Sequence, residues 1–202
     1  MLKYIVLIIF IFLSFSSAKQ NSTKYNCPVH LKDLKLLSIK YLGYDGSDKL
    51  GELLVHKDVS SDVVKIFDEL YEIKYPINKM NLISKYNGDD WLSIEDNNTS
   101  AFNCRFIEGT NKWSNHAYGK AIDINPIENP YVSKKGHIFH KESLKYKIRE
   151  HKSNTLKDRA ILLKEDKAVK IFEKYGWKWG GDWITIKDYQ HFEYKKRKIN
   201  EY

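Results

Sequence analysis

Apolar residues alternate loosely from Leu34 to Leu42, stop at Gly43-Tyr44-Asp45-Gly46 and resume in the run Leu50 to Val55. Alternation bounded by a glycine turn predicts two short strands paired as a hairpin. From Ser60 the period changes. Val63, Val64, Phe67, Leu70 and Tyr71 recur at helical spacing, with Ser60 or Ser61 as the expected cap and Pro76 beyond the end. Lys65, Asp68, Glu69 and Glu72 fall mostly on the water face of that helix. Ile77 to Ser84 is expected as a strand, Tyr86 to Asn98 as a polar loop, and Asn98 to Phe106 as a polar start running into a short apolar strand around Arg105. In the small-residue segment Trp113 to Pro126, strand alternation would point Ala121, Asp123 and Asn125 one way and Ile122 and Ile124 the other. Asn129 to Lys157 is polar and expected to run over the surface, rimming any site. Val169, Phe172 and Tyr175 return to helical spacing within Asp166 to Tyr175, and Gly176 is placed to end that helix in the left-handed conformation. The aromatic segment Trp177 to Trp183 and a strand from Gln190 to Tyr194 close the pattern. With no internal repeat or linker, the prediction is one α+β domain, a small antiparallel sheet with flanking helices.

Composition changes this picture at the N-terminus. Lys3, the apolar run Tyr4 to Phe15 and the small residues Ser16-Ser17-Ala18 have the pattern of a secretory signal peptide over residues 1–18. The run is shorter than the roughly 18 to 20 apolar residues that span a bilayer, so no stable membrane span is expected after cleavage. The domain then occupies 19–202, outside the cytosol, periplasmic or secreted. In such a compartment Cys27 and Cys104 become a candidate disulfide.

The chain carries 34 Lys and Arg against 26 Asp and Glu, a net charge of +8, and loses one lysine with residues 1–18. That excess favours an anionic polymer. The charges are interspersed except at Lys195-Lys196-Arg197-Lys198, and no basic stripe is interleaved with aromatics, which argues against a nucleic-acid partner. The cell wall is the anionic polymer met outside a bacterial membrane, and the chain is expected to act as a monomer.

One set of residues meets the demands of a catalytic zinc, which takes three side chains and leaves a position open. His116, Asp123 and His191 are the candidate ligands, one ion per chain. Asp188 is the candidate base, and Glu193, on the same strand face as His191, is the rival base or the partner that orients the imidazole. A non-haem iron site of two histidines and a carboxylate uses a His-x-Asp pair, which His116 and Asp123 do not form.

Ser114-x-His116 through Gly119-x-Ala121-x-Asp123 resembles the SxHxxGxAxD signature of the M15 family, the D-alanyl-D-alanine carboxypeptidase-like zinc peptidases that include the VanX and VanY enzymes and phage L-alanyl-D-glutamate endolysins. Asn98 to Arg105, and Trp177 to Trp183 followed by Asp188-x-x-His191-Phe192-Glu193, resemble one bacterial branch, so the resemblance spans about Tyr41 to Tyr194. It implies a hedgehog/DD-peptidase-like fold and a zinc peptidase that cuts peptidoglycan stem peptides beside a D-amino acid, as carboxypeptidase or endopeptidase. It implies His116, Asp123 and His191 as zinc ligands, Asp188 as base, and Arg105 as the group that stabilises the oxyanion. Ser114 is implied as a substrate contact, and Tyr118 or Trp183 would wall the pocket. His30, His56, His137, His140 and His151 match nothing in the signature and are expected at the surface. The alternative is a non-catalytic, zinc-containing module on the same fold that binds cell wall or protein.

Overall fold

The computed structural model describes residues 27–195. The segment 1–18 expected as a signal peptide, and the basic tail beyond Lys195, lie outside them. β1 (Leu34–Leu42) and β2 (Asp48–His56) form the expected antiparallel hairpin, with Leu34 opposite His56 and Leu42 opposite Asp48. α1 (Ser60–Glu72) lays Val63, Ile66, Phe67 and Leu70 against it. Neither serine caps this helix. A 3-10 turn, Lys57–Val59, feeds the chain in, Val59 holds the cap position, and the Ser60 hydroxyl donates to Lys57 O at 2.9 Å.

The expected strand Ile77 to Ser84 shrinks to β3 (Lys79–Met80), followed by a 3-10 turn at Ile83–Tyr86. The expected polar loop contains a short helix, α2 (Asp90–Glu95), capped by Asp89, whose carboxylate accepts from Leu92 N at 3.1 Å. β4 (Asn98–Thr99) pairs parallel with β3. Beyond it the chain forms single bridges rather than a continuous strand, Ser100 with Asp123 and Phe106 with Trp113.

β5 (Ala121–Asp123), β7 (Trp177–Trp179) and β9 (His191–Tyr194) make an antiparallel sheet with β9 in the middle, while β6 (Tyr131–Val132) pairs with β8 (Lys187–Asp188). α3 (Leu156–Arg159) precedes α4 (Lys167–Lys174), after which Gly176 takes φ 83° as its position predicts. Ile122, Phe192 and Phe172 are fully buried, and the Phe192 and Phe172 rings stack at 3.9 Å. The mixture of short helices and small sheets is the expected α+β class. Among the described residues no helix is long and apolar enough to cross a membrane.

The stretch Asn129 to Lys157, expected at the surface, departs from expectation at its start, where Asn129 is buried beside Glu128. Glu128 and Asn129 have no exposure at all, because their polar atoms are satisfied inside the molecule. Glu128 accepts from Tyr44 Oη at 2.8 Å, Asn97 Nδ2 at 2.7 Å and Tyr146 Oη at 3.2 Å. Asn129 Oδ1 accepts from Arg149 at 2.8 Å and Leu162 N at 2.7 Å, and its Nδ2 donates to Ala160 O at 2.9 Å. The Arg149 guanidinium lies 4.3 Å from the Tyr189 ring centroid, tying this stretch to the loop before β9. Cys27 and Cys104 form a disulfide with their Cα atoms 5.8 Å apart, closing the N-terminal arm over Leu34, Leu54 and Phe102.

Asn129→Ala would strand the buried Leu162 N–H and take one partner each from Arg149 Nη2 and Ala160 O, which keep Leu162 O and the Tyr75 hydroxyl respectively. Each buried polar group left unpaired costs about 1 to 3 kcal/mol. The expected loss is therefore about 2 to 4 kcal/mol of unfolding free energy in urea titration, with the secondary structure unchanged by circular dichroism.

Candidate metal centre

Local sequence builds each half of the site. Ser114 Oγ accepts from His116 N at 3.3 Å and starts a 3-10 turn, Asn115–Tyr118, which Gly119 ends at φ 64°. A side chain at Gly119 would meet His56 N at 2.7 Å, so glycine satisfies both the backbone angle and the close approach. The turn aims His116 inward, and β5 follows with Asp123. In the β5–β9 register Asp123 stands directly opposite His191, and Ile122 opposite Phe192. Alternation therefore puts both apolar residues in the core and the two polar ones together on the other face.

The three groups converge. His116 Nε2 lies 3.0 Å from Asp123 Oδ2, His191 Nδ1 lies 2.9 Å from Asp123 Oδ1, and the two ring nitrogens are 3.2 Å apart. Four-coordinate zinc with bonds of about 2.0 to 2.1 Å sets its donors roughly 3.3 Å apart, close to the 3.2 Å between the two ring nitrogens, each of which faces a different oxygen of Asp123. His116, Asp123 and His191 are all buried. His116 Nδ1 donates to Ala101 O at 2.6 Å, which fixes the ring and leaves Nε2 as a lone-pair donor. Glu193 sits behind His191, its Oε2 at 3.6 Å from His191 Nε2, and is itself held by Asn115 and by Lys195 at 2.8 Å. Two imidazoles, each steadied from outside, and a carboxylate are a donor set suited to a divalent cation of the zinc type.

Electrostatics separate the carboxylates. Burial works against the charge on Asp123, but the two histidines more than offset it and hold its carboxyl well below the usual range. In Glu193 the hydrogen bond from His191 leads, and the carboxyl falls to about 2. Asp188 goes the other way, pushed up to about 6 by burial and only partly relieved by His191. The residue keeps some exposure, but its Oδ1 is sealed from solvent and has no partner. Gly180 permits this packing, since a Cβ there would lie 2.5 Å from Asp188 O and 3.3 Å from His191 Cβ.

The remaining candidates divide. The Trp183 ring lies 5.3 Å from that of His191 and flanks the centre. Buried Ser114 is occupied as a cap, and Tyr118 is 37% exposed beside a separate cavity of about 220 Å³ lined also by His56, Lys120 and Tyr194. Arg105 points its Nη2 at Asp90 Oδ2, 2.9 Å away. His140, expected at the surface, is half-buried against Trp91, the ring centroids 3.9 Å apart and the planes tilted by 35°. Sequence reasoning passed over Ala101 O, Asn115 and Asp90. Only Asp90 had a signal, the Gly88-Asp89 helix start ahead of Trp91, Leu92 and Ile94.

Glu193→Gln is expected to weaken zinc binding about 10- to 100-fold, measured by competition with a chromophoric chelator, and His191→Ala to abolish stoichiometric binding in the same assay.

Residues 108–194 match the family model described as D-alanyl-D-alanine carboxypeptidase. The match begins after Arg105, so it is shorter than the resemblance from about Tyr41. No curated protein and no solved structure matches the chain. The matched segment carries His116, Asp123, Asp188 and His191, and the match supports an M15 family peptidase.

Proposed function

We propose that the protein is a zinc-dependent peptidase acting outside the cytosol on peptidoglycan stem peptides, cutting beside a D-amino acid. The observation that carries this is the buried His116, Asp123 and His191 cluster with the unpartnered Asp188 oxygen next to it, inside the segment that matches a carboxypeptidase family. The family description supports the D-amino acid. The Cys27–Cys104 bond and the N-terminal leader pattern support an oxidising compartment and the cell wall as substrate.

A divalent cation held by His116, Asp123 and His191 supplies a Lewis acid for the scissile carbonyl and makes water more acidic. The chain does the rest. Asp188, with its carboxyl pushed up to about 6, is basic enough to take a proton from water at neutral pH and acidic enough to return it to the departing amine. Glu193, held near 2 and engaged with His191, Asn115 and Lys195, is a poor base and serves instead to orient the imidazole. Arg105 supplies a cationic donor for the developing oxyanion from the chain that lies against the His116 turn, where Asn103 N donates to His116 O at 3.2 Å. Trp183 flanks the site beside His191 and limits water there.

Asp188→Asn tests the assignment. Purified muropeptides and a peptide ending in D-alanyl-D-alanine, followed by mass spectrometry, should show cleavage by the zinc-loaded protein and at least about a 100-fold loss in the variant, with zinc content unchanged. Zinc retained with no cleavage by the unsubstituted protein would instead indicate a binding module.

The base must be ionised to work, and its pKa is raised. Cleavage should therefore fall as pH drops through about 6, and a bound cation would move that midpoint lower. A pH profile of kcat/KM with an acid limb well above 6 would contradict Asp188 as the base.

A further inference from the structure

We propose that Asp90 is a positioning residue that holds Arg105 ready for the reacting oxygen, an inference that rests on the peptidase reading above. The two adjacent aspartates at the start of α2 divide their work. Asp89 caps the helix, which leaves the Asp90 carboxylate free. Its Oδ2 takes Arg105 Nη2 at 2.9 Å and its Oδ1 takes Asn103 Nδ2 at 3.1 Å. Both donors belong to one stretch of chain, on either side of the disulfide-bonded Cys104. That stretch is registered on the metal-ligand turn, with Asn103 N on His116 O at 3.2 Å and Ser114 N on Arg105 O at 3.2 Å.

The helix is fixed from behind. Buried Ser93 accepts from Asn98 Nδ2 at 3.0 Å, Asp96 receives Tyr86 Oη at 2.6 Å and pairs with Lys79, and Ser100 beyond β4 pairs with Asp123 itself. The start of α2 is thus tied through Asn103 and Arg105 to the His116 turn, and the chain beyond its end bridges to Asp123.

An exposed pair of long charged side chains gains little, because ordering them offsets the attraction. Here the side chains are only 29% and 32% exposed, and the acceptor stands on a fixed helix. The rest of the guanidinium is under-used. Nη1 reaches Phe106 O only at 3.4 Å, and buried Nε has no acceptor. Buried donors are normally paired, and a carbonyl oxygen gaining negative charge is the kind of acceptor this arginine lacks. Holding Nη2 on Asp90 restricts the side chain before substrate arrives, so less ordering remains for the reaction.

The experiment uses the zinc-loaded full chain with Asp90→Asn, Arg105→Ala and the double variant. It measures kcat and KM on a peptide ending in D-alanyl-D-alanine, zinc content, and ¹⁵N relaxation of the Arg105 Nε–H. Arg105→Ala should lower kcat on the order of 100-fold, and Asp90→Asn about 10-fold with KM nearly unchanged. In the Arg105→Ala background Asp90→Asn should cost nothing more. The Arg105 signal should be rigid in the unsubstituted protein and mobile in Asp90→Asn, with Asp90→Glu restoring part of both properties. Additive losses, an Arg105 that stays rigid in Asp90→Asn, or a kcat loss that merely follows lost zinc would overturn the proposal. If the unsubstituted protein cleaves no such peptide, the peptidase reading fails by itself. The catalytic part of the proposal falls with it, and relaxation decides the tether: a mobilised Arg105 in Asp90→Asn upholds the hold of Asp90 on Arg105, and an unmoved one overturns that as well.

Discussion

The pairing of β5 with β9 is the constraint on which the rest depends. It sets Asp123 opposite His191 and Ile122 opposite Phe192. Residues facing each other across an antiparallel pair have Cβ atoms about 4.5 to 5.5 Å apart, close enough for a carboxylate to reach an imidazole. A slip of one residue would turn Asp123 into the core and Ile122 toward the metal face. The register is thus enforced twice, by the aromatic stack of Phe192 on Phe172 behind the sheet and by the polar cluster in front of it.

A buried cluster of this kind persists only because its members are partnered. His116 is steadied by Ala101 O, His191 by Glu193, and Glu193 by Asn115 and Lys195. Burying charge without such partners would be costly. Asp188 is the exception, and its unpartnered oxygen and raised carboxyl follow from the same burial. Neighbouring carboxylates in one site thereby acquire different roles, Asp123 a permanent anion and Asp188 a group able to exchange a proton near neutrality.

Legibility followed the range of the interaction. The hairpin, α1 and α4 were readable because hydrophobic period, turn glycines and the Gly176 stop act within a few residues. The helix α2 was missed because six residues containing Trp91 and Leu92, both about half exposed, leave no buried stripe. The start of the stretch Asn129 to Lys157 departs from its surface reading for the opposite reason. Composition marks Glu128 and Asn129 as surface residues, whereas Tyr44, Asn97, Arg149 and Leu162 come from distant parts of the chain to satisfy them.

The sequence by itself determined the local elements, the α+β class and the residue types able to hold a metal, since these depend on periodicity and donor chemistry alone. The tertiary structure decided which donors meet, which ring nitrogen faces inward, and why Asp188 and Glu193 differ in basicity. It also decided that Arg105 is held by Asp90. Those outcomes rest on strand register and burial across separations of up to 78 residues, as between Asn115 and Glu193. No local pattern encodes which polar groups will be sealed from water together.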